Sequence, residues 1–145
     1  MREIILLVCV FTLSSCASIP DTSAELIGST QIKQTSCYSQ NYESVAIKVK
    51  TFLEQCYHTQ TYIIPIAGVP IPMTSEYEVI EENGNKNKRY SVRSKYGFGL
   101  SVDIKPNINT CGTQVDMYAV RNHMREKFNR IDEAINDKNP GCGII

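Results

Sequence analysis

Imidazoles, thiols and paired carboxylates do most of the chemistry that side chains perform near neutral pH, and this chain sets few of them at useful spacing. Its two histidines, His58 and His123, are far apart in sequence. His58 follows Cys56-Tyr57 at the expected end of a helix, where positive charge is favoured, and His123 stands between Arg121 and Arg125 in the first turns of another. Neither has a nucleophile and an orienting acid beside it, so no catalytic or metal-ligating role is assigned to them. Glu81-Glu82 flank an expected hairpin turn and read as solvated charges. Gly97-Phe98-Gly99 opens a strand, whereas a phosphate cradle joins a strand to a helix N-terminus, so no nucleotide cofactor is implied. The eight tyrosines, with no Trp, read as core or rim positions.

The strongest chemical signal lies at the amino terminus. Met1-Arg2-Glu3 leads into an apolar run from Ile4 to Leu13, about ten residues where a membrane-spanning helix needs roughly 20. A charged start, a short apolar middle and small residues after it describe a secretory signal, with Cys9 as a hydrophobic filler. Leu13-Ser14-Ser15-Cys16 then resembles the bacterial lipobox. That resemblance implies cleavage before Cys16, which then carries a thioether-linked diacylglycerol and an acylated amine. Ala17 follows, and not the Asp that tends to retain lipoproteins in the inner membrane, so the resemblance implies the outer membrane as address and the lipid bilayer as partner. Several acyl chains hold a soluble domain at a bilayer without any basic patch. Residues 1–15 are thus the expected signal. Residues 16–36, rich in Ser and Thr, are the expected lipidated tether, long enough if extended to hold a domain several nanometres from the membrane.

Four cysteines then remain for the domain of residues 37–145: Cys37, Cys56, Cys111 and Cys142. A zinc site would need close pairs, and the nearest two are 19 apart in sequence, so two disulfides are expected in an exported chain. Cys37 with Cys56 fits poorly, because a helix separates them by about 20 Å. Two pairings survive: Cys56 with Cys111 and Cys37 with Cys142, which is preferred, or Cys37 with Cys111 and Cys56 with Cys142.

The elements that carry these residues are legible in periodicity. Tyr42, Val45, Ala46, Val49, Phe52, Leu53 and Cys56 fall at offsets 0, 3, 4, 7, 10, 11 and 14, one face of a helix that Asn41 or Ser39 caps. Tyr62–Met73 is apolar but holds three prolines and a glycine, so it reads as an extended arm or loop. Its plain structural role is to cover a sheet edge; left exposed, Ile63, Ile64, Ile66, Val69 and Ile71 would form a docking site for an envelope protein partner. Burial of Ile64 and Ile66 against the domain's own helices would remove that motive. Tyr77–Asn83 and a return through Tyr90 and Val92 make a hairpin around Asn83-Gly84. Phe98, Leu100, Val102 and Ile104 alternate with polar residues, as do Thr113, Val115, Met117 and Ala119. A second helix from Arg121 to Asp137 carries Met124, Phe128, Ile131 and Ile135 on one side.

The expected fold is therefore α+β: a four-stranded antiparallel meander with two helices on one face, stapled by two disulfides. This order is similar to the helix-grip domains of lipoproteins that decorate the outer-membrane β-barrel assembly machine. The chain has 145 residues with 15 Lys+Arg against 15 Asp+Glu, and no block of like charge, so no nucleic-acid footprint is present. The expected role is a lipid-anchored, non-catalytic binding or scaffolding domain without a cofactor. An inhibitor or ligand carrier, and then a small envelope hydrolase, are the alternatives.

Overall fold

A computed structural model describes residues 19–107 and 109–143. The signal and the lipobox with Cys16 lie outside the described residues. The fold is α+β, a five-stranded antiparallel sheet with three α-helices and a separate two-stranded hairpin. In chain order the elements are α1 (Ser23–Ser29), β1 (Ile32–Tyr38), α2 (Tyr42–Cys56), β2 (Gln60–Ile66), β3 (Val69–Ser75), β4 (Tyr77–Asn83), β5 (Lys88–Ser94), β6 (Gly97–Pro106), β7 (Thr113–Ala119) and α3 (Arg125–Ile135). The strand order is β1-β7-β6-β5-β4, so the expected meander is present as β4 to β7.

Helix α2 has the span that its periodicity demands, and the Asn41 side chain caps it by accepting from Ser44 N at 2.9 Å. Val45, Ala46, Val49, Phe52, Leu53 and Cys56 are all buried on its inner face. Against them lie Leu100, Val102, Ile104, Val115 and Met117 of the sheet and Phe128, Ile131 and Ile135 of α3, which together form one core. The second helix is shorter than expected: residues Asn122–Met124 form a 3-10 turn before α3 begins.

Three expectations are corrected in the first half of the chain. Residues 17–36 are not a free tether, because α1 and most of β1 fall within them. Leu26 is fully buried, and α1 packs on β6 and β7. Strand β1 is the fifth strand, added beside β7 with Thr35 opposite Asp116. Its inward side chains are mostly polar and are satisfied by α3: Gln34 Nε2 donates to Asp132 at 2.9 Å, and the Tyr38 hydroxyl donates to the other oxygen of the same carboxylate. Nor do all helices lie on one face. Ser23 of α1 donates to Glu82 at 2.7 Å, and Ser91 and Ser101 are buried on the side away from the main core. Helix α1 therefore covers part of the reverse face.

The cysteines pair as Cys37–Cys111 and Cys56–Cys142, with Cα–Cα distances of 5.8 and 5.1 Å, and not as the preferred expectation had them. The cause is β1. Its pairing sets Cys37 opposite Gln114, next to the β6–β7 loop that holds Cys111. That leaves Cys56, at the end of α2, for the segment beyond α3, where Lys127 Nζ donates to the Cys142 carbonyl at 3.1 Å.

The proline-rich arm is not a loop. It is the hairpin β2–β3, joined by Ala67 and Gly68 at φ 50° and 81°, a two-residue connection of the kind that matches the twist of paired strands.

Candidate binding surface

The hairpin register decides which side chains share a face. Tyr62 lies opposite Met73, Ile64 opposite Ile71 and Ile66 opposite Val69, so these six large apolar residues line one side of the ribbon. Ile63, Pro65, Pro70 and Pro72 line the other. From Thr59 to Ser75 the chain contains no charged residue and no His. A ribbon of this composition is normally core. Here Ile63 is 69% exposed, Val69 59% and Ile66 53%, and Ile64 alone among the named residues is half-buried. All five sequence-nominated residues thus fall on this hairpin, with Ile64, Ile66, Val69 and Ile71 on one face and Ile63 on the reverse.

Three prolines shape the ribbon. Pro65 and Pro70 oppose one another, and Pro72 opposes Ile63. Each removes an N–H that an exposed edge would otherwise offer to another strand, so edge-to-edge pairing is suppressed while the side chains remain presented. Polar contacts close the base: the Thr61 and Thr74 hydroxyls lie 3.2 Å apart, and Ser75 Oγ donates to the Tyr62 hydroxyl at 3.1 Å.

At that base the apolar face runs into a cavity of about 500 Å³. Tyr62 and Met73 of the hairpin, Tyr57 after α2, Val92 of β5 and Met124 before α3 line it, together with Ile19 from the amino-terminal segment. Ile19 is held there by its neighbour. The Pro20 carbonyl accepts from Phe98 N at 2.9 Å, an approach that depends on Gly97, where a Cβ would come within 2.5 Å of that oxygen. Tyr57 is 4% exposed, and its hydroxyl is the buried side-chain polar atom that finds no hydrogen-bond partner among the described residues. Burial, with the edge-on Tyr77 ring at 5.8 Å, pushes its pKa upward, so it stays a neutral donor. Sequence reasoning missed Tyr57 and the cavity, because residues from separate segments of the chain meet there and no local spacing announces it.

The histidines do not converge. His58 Nε2 lies 3.2 Å from the Gln60 amide, while His123 lines the cavity near Glu76 and Glu126 and makes no hydrogen bond among the described residues. Glu81 and Glu82 point to opposite sides of β4, the first to Lys50 at 2.9 Å and the second to Ser23 and Arg89. Among the described residues, no three His, Cys, Asp or Glu side chains gather as metal ligands, and no helix is long and apolar enough to cross a membrane. Compared with models of protein families, with curated proteins and with solved structures, the chain has no match.

Proposed function

We propose that this chain is a bacterial envelope lipoprotein, held at the outer membrane by an acylated Cys16, whose domain binds or scaffolds and does no chemistry. The observation that carries the binding role is the uncharged hairpin, whose isoleucines and valine stand in solvent although the fold has a core that would accept them. Two disulfides support an oxidising compartment, in keeping with export. Ligand carriage is a second reading, favoured by the unpaired Tyr57 hydroxyl at the cavity floor.

Metabolic labelling with a palmitate analogue tests the anchor. The full chain is expected to incorporate label and to fractionate with outer membranes, whereas Cys16→Ala is expected to lose both properties. An unlabelled native chain that behaves like Cys16→Ala overturns the reading.

A further inference from the structure

The structure assigns an occupant to the apolar face of the hairpin: we infer that it lies on the surface of the bilayer to which Cys16 is joined, its side chains at the level of the upper acyl carbons. This inference rests on the lipid-anchor reading and adds the identity of what the hairpin touches.

The first argument is chain length. Pro20 is buried and hydrogen-bonded to the start of β6, and Ile19 lines the cavity at the foot of the hairpin. Three residue steps separate Cys16 from Ile19, a span of at most about 11 Å. A lipidated Cys16 sits at headgroup level, so the docked segment brings the domain down onto the membrane instead of leaving it several nanometres away. The face of the molecule that meets the bilayer is then the one around Ile19.

Continuity is the second argument. Tyr62 and Met73 share the cavity with Ile19, and Ile64, Ile71, Ile66 and Val69 continue the same side of the ribbon outward. At about 3.3 Å per residue, a seven-residue strand runs roughly 23 Å, so the strip is long enough to lie along the interface.

The third argument is backbone polarity. A hairpin laid in the headgroup and acyl boundary exposes its edge N–H groups to a poor hydrogen-bonding medium. Pro65, Pro70 and Pro72 have no such groups to expose, and the stretch carries no charge that would resist partial burial. These features suit a bilayer interface better than a protein partner, which would ordinarily offer strand pairing or charge complementarity. The covalent lipid then supplies retention, and the hairpin fixes which way the domain faces.

The absence of Trp from the chain makes the test direct. Ile66→Trp and, as a control on the exposed face of α2, Ile47→Trp are made in the full chain and reconstituted in vesicles of phosphatidylethanolamine and phosphatidylglycerol. A matched set of vesicles carries bromine on the acyl chains. Ile66→Trp is expected to emit at shorter wavelength and to lose about half its intensity to bromine, with Ile47→Trp unchanged. Equal, water-like emission from both overturns the inference. A shielded Ile66→Trp that bromine does not quench also overturns it, since a protein then covers the face. Palmitate labelling of the same samples separates the two readings: a labelled chain in which the Ile66→Trp indole stays in water keeps the anchor and loses the hairpin contact, and quenching in an unlabelled chain does the reverse.

Discussion

Two hairpins of equal strand length follow one another in this chain, and they invert the usual relation between composition and place. β4–β5 carries Glu78, Glu81, Glu82, Lys88, Arg89 and Arg93, yet it is built into the sheet. β2–β3 carries no charge and stands outside it. The charged hairpin succeeds as structure because its alternation is clean: Tyr90 and Val92 enter the core, while Arg89 turns to the reverse face and meets Asp103 at 2.5 Å. The apolar hairpin is hydrophobic on both faces, so no single face is marked for the core. Its prolines then exclude it from a sheet interior. Hydrophobicity without alternation or hydrogen-bonding capacity is available for contact with something other than the fold.

If the sheet body alone carries stability, the largest effect comes from its staples. Cys56–Cys142 closes 86 residues of sequence, and the double replacement Cys56→Ala with Cys142→Ala is expected to cost about 2 to 5 kcal/mol. Thermal melts followed by circular dichroism check this, and dithiothreitol is expected to lower the melting temperature of the native chain in the same direction. A melt indifferent to both changes would place the stability elsewhere.

The same contrast separates what was legible in the sequence from what was not. Helix α2 and strands β4 to β7 were legible because buried positions recur at 3.6 or 2 and turn residues bound them. Strand β1 was not, since Gln34 and Ser36 occupy inward positions and are satisfied by hydrogen bonds instead of burial. Helix α1 has one fully buried apolar residue, too few for a period, although Thr22-Ser23-Ala24-Glu25 carried a capping signal. In the structure Thr22 accepts from Glu25 N at 3.1 Å. Missing β1 also misassigned the disulfides, because register alone brings Cys37 to Cys111. The hairpin residues were legible as candidates from composition, but their exposure and their closeness to Ile19 are tertiary facts.

A pair of truncations tests the contrast at single side chains. Leu100→Ala, in the shared core, is expected to cost about 3 kcal/mol, and Ile66→Ala less than about 0.5 kcal/mol. Urea titrations of the two variants read this difference. Comparable losses would mean that the hairpin packs on the body in solution.

The body should also account for the acid sensitivity. At Asp116 burial works against the charge, but hydrogen bonds from Lys105 at 2.6 Å, Gln114 at 2.9 Å and Thr35 at 2.7 Å outweigh it and hold the carboxyl below its ordinary range. A depressed carboxyl stabilises the fold above its unfolded value, and that contribution disappears as pH falls through the folded one. Asp116→Asn is therefore expected to lose about 1 kcal/mol at neutral pH, with the gap to the native chain closing below about pH 4. Melts across that range measure it.

The smallest effect is the most discriminating. Ala67 opens the β2–β3 turn at φ 50°, a left-handed conformation that costs an alanine roughly 1 kcal/mol and that asparagine tolerates. Ala67→Asn creates the Asn-Gly pair that this turn type prefers, because Gly68 already stands at φ 81°. A gain of about 0.5 kcal/mol confined to the hairpin would slow local opening roughly twofold, and hydrogen exchange of the β2 and β3 amides is expected to report that rise. The global melt is expected to stay where it is, because a ribbon outside the five-stranded sheet opens without unfolding the core. Should the melt rise by the same free energy as the exchange, the hairpin and the body would be one cooperative unit, and the division between a stapled sheet and an independent contact ribbon would fail.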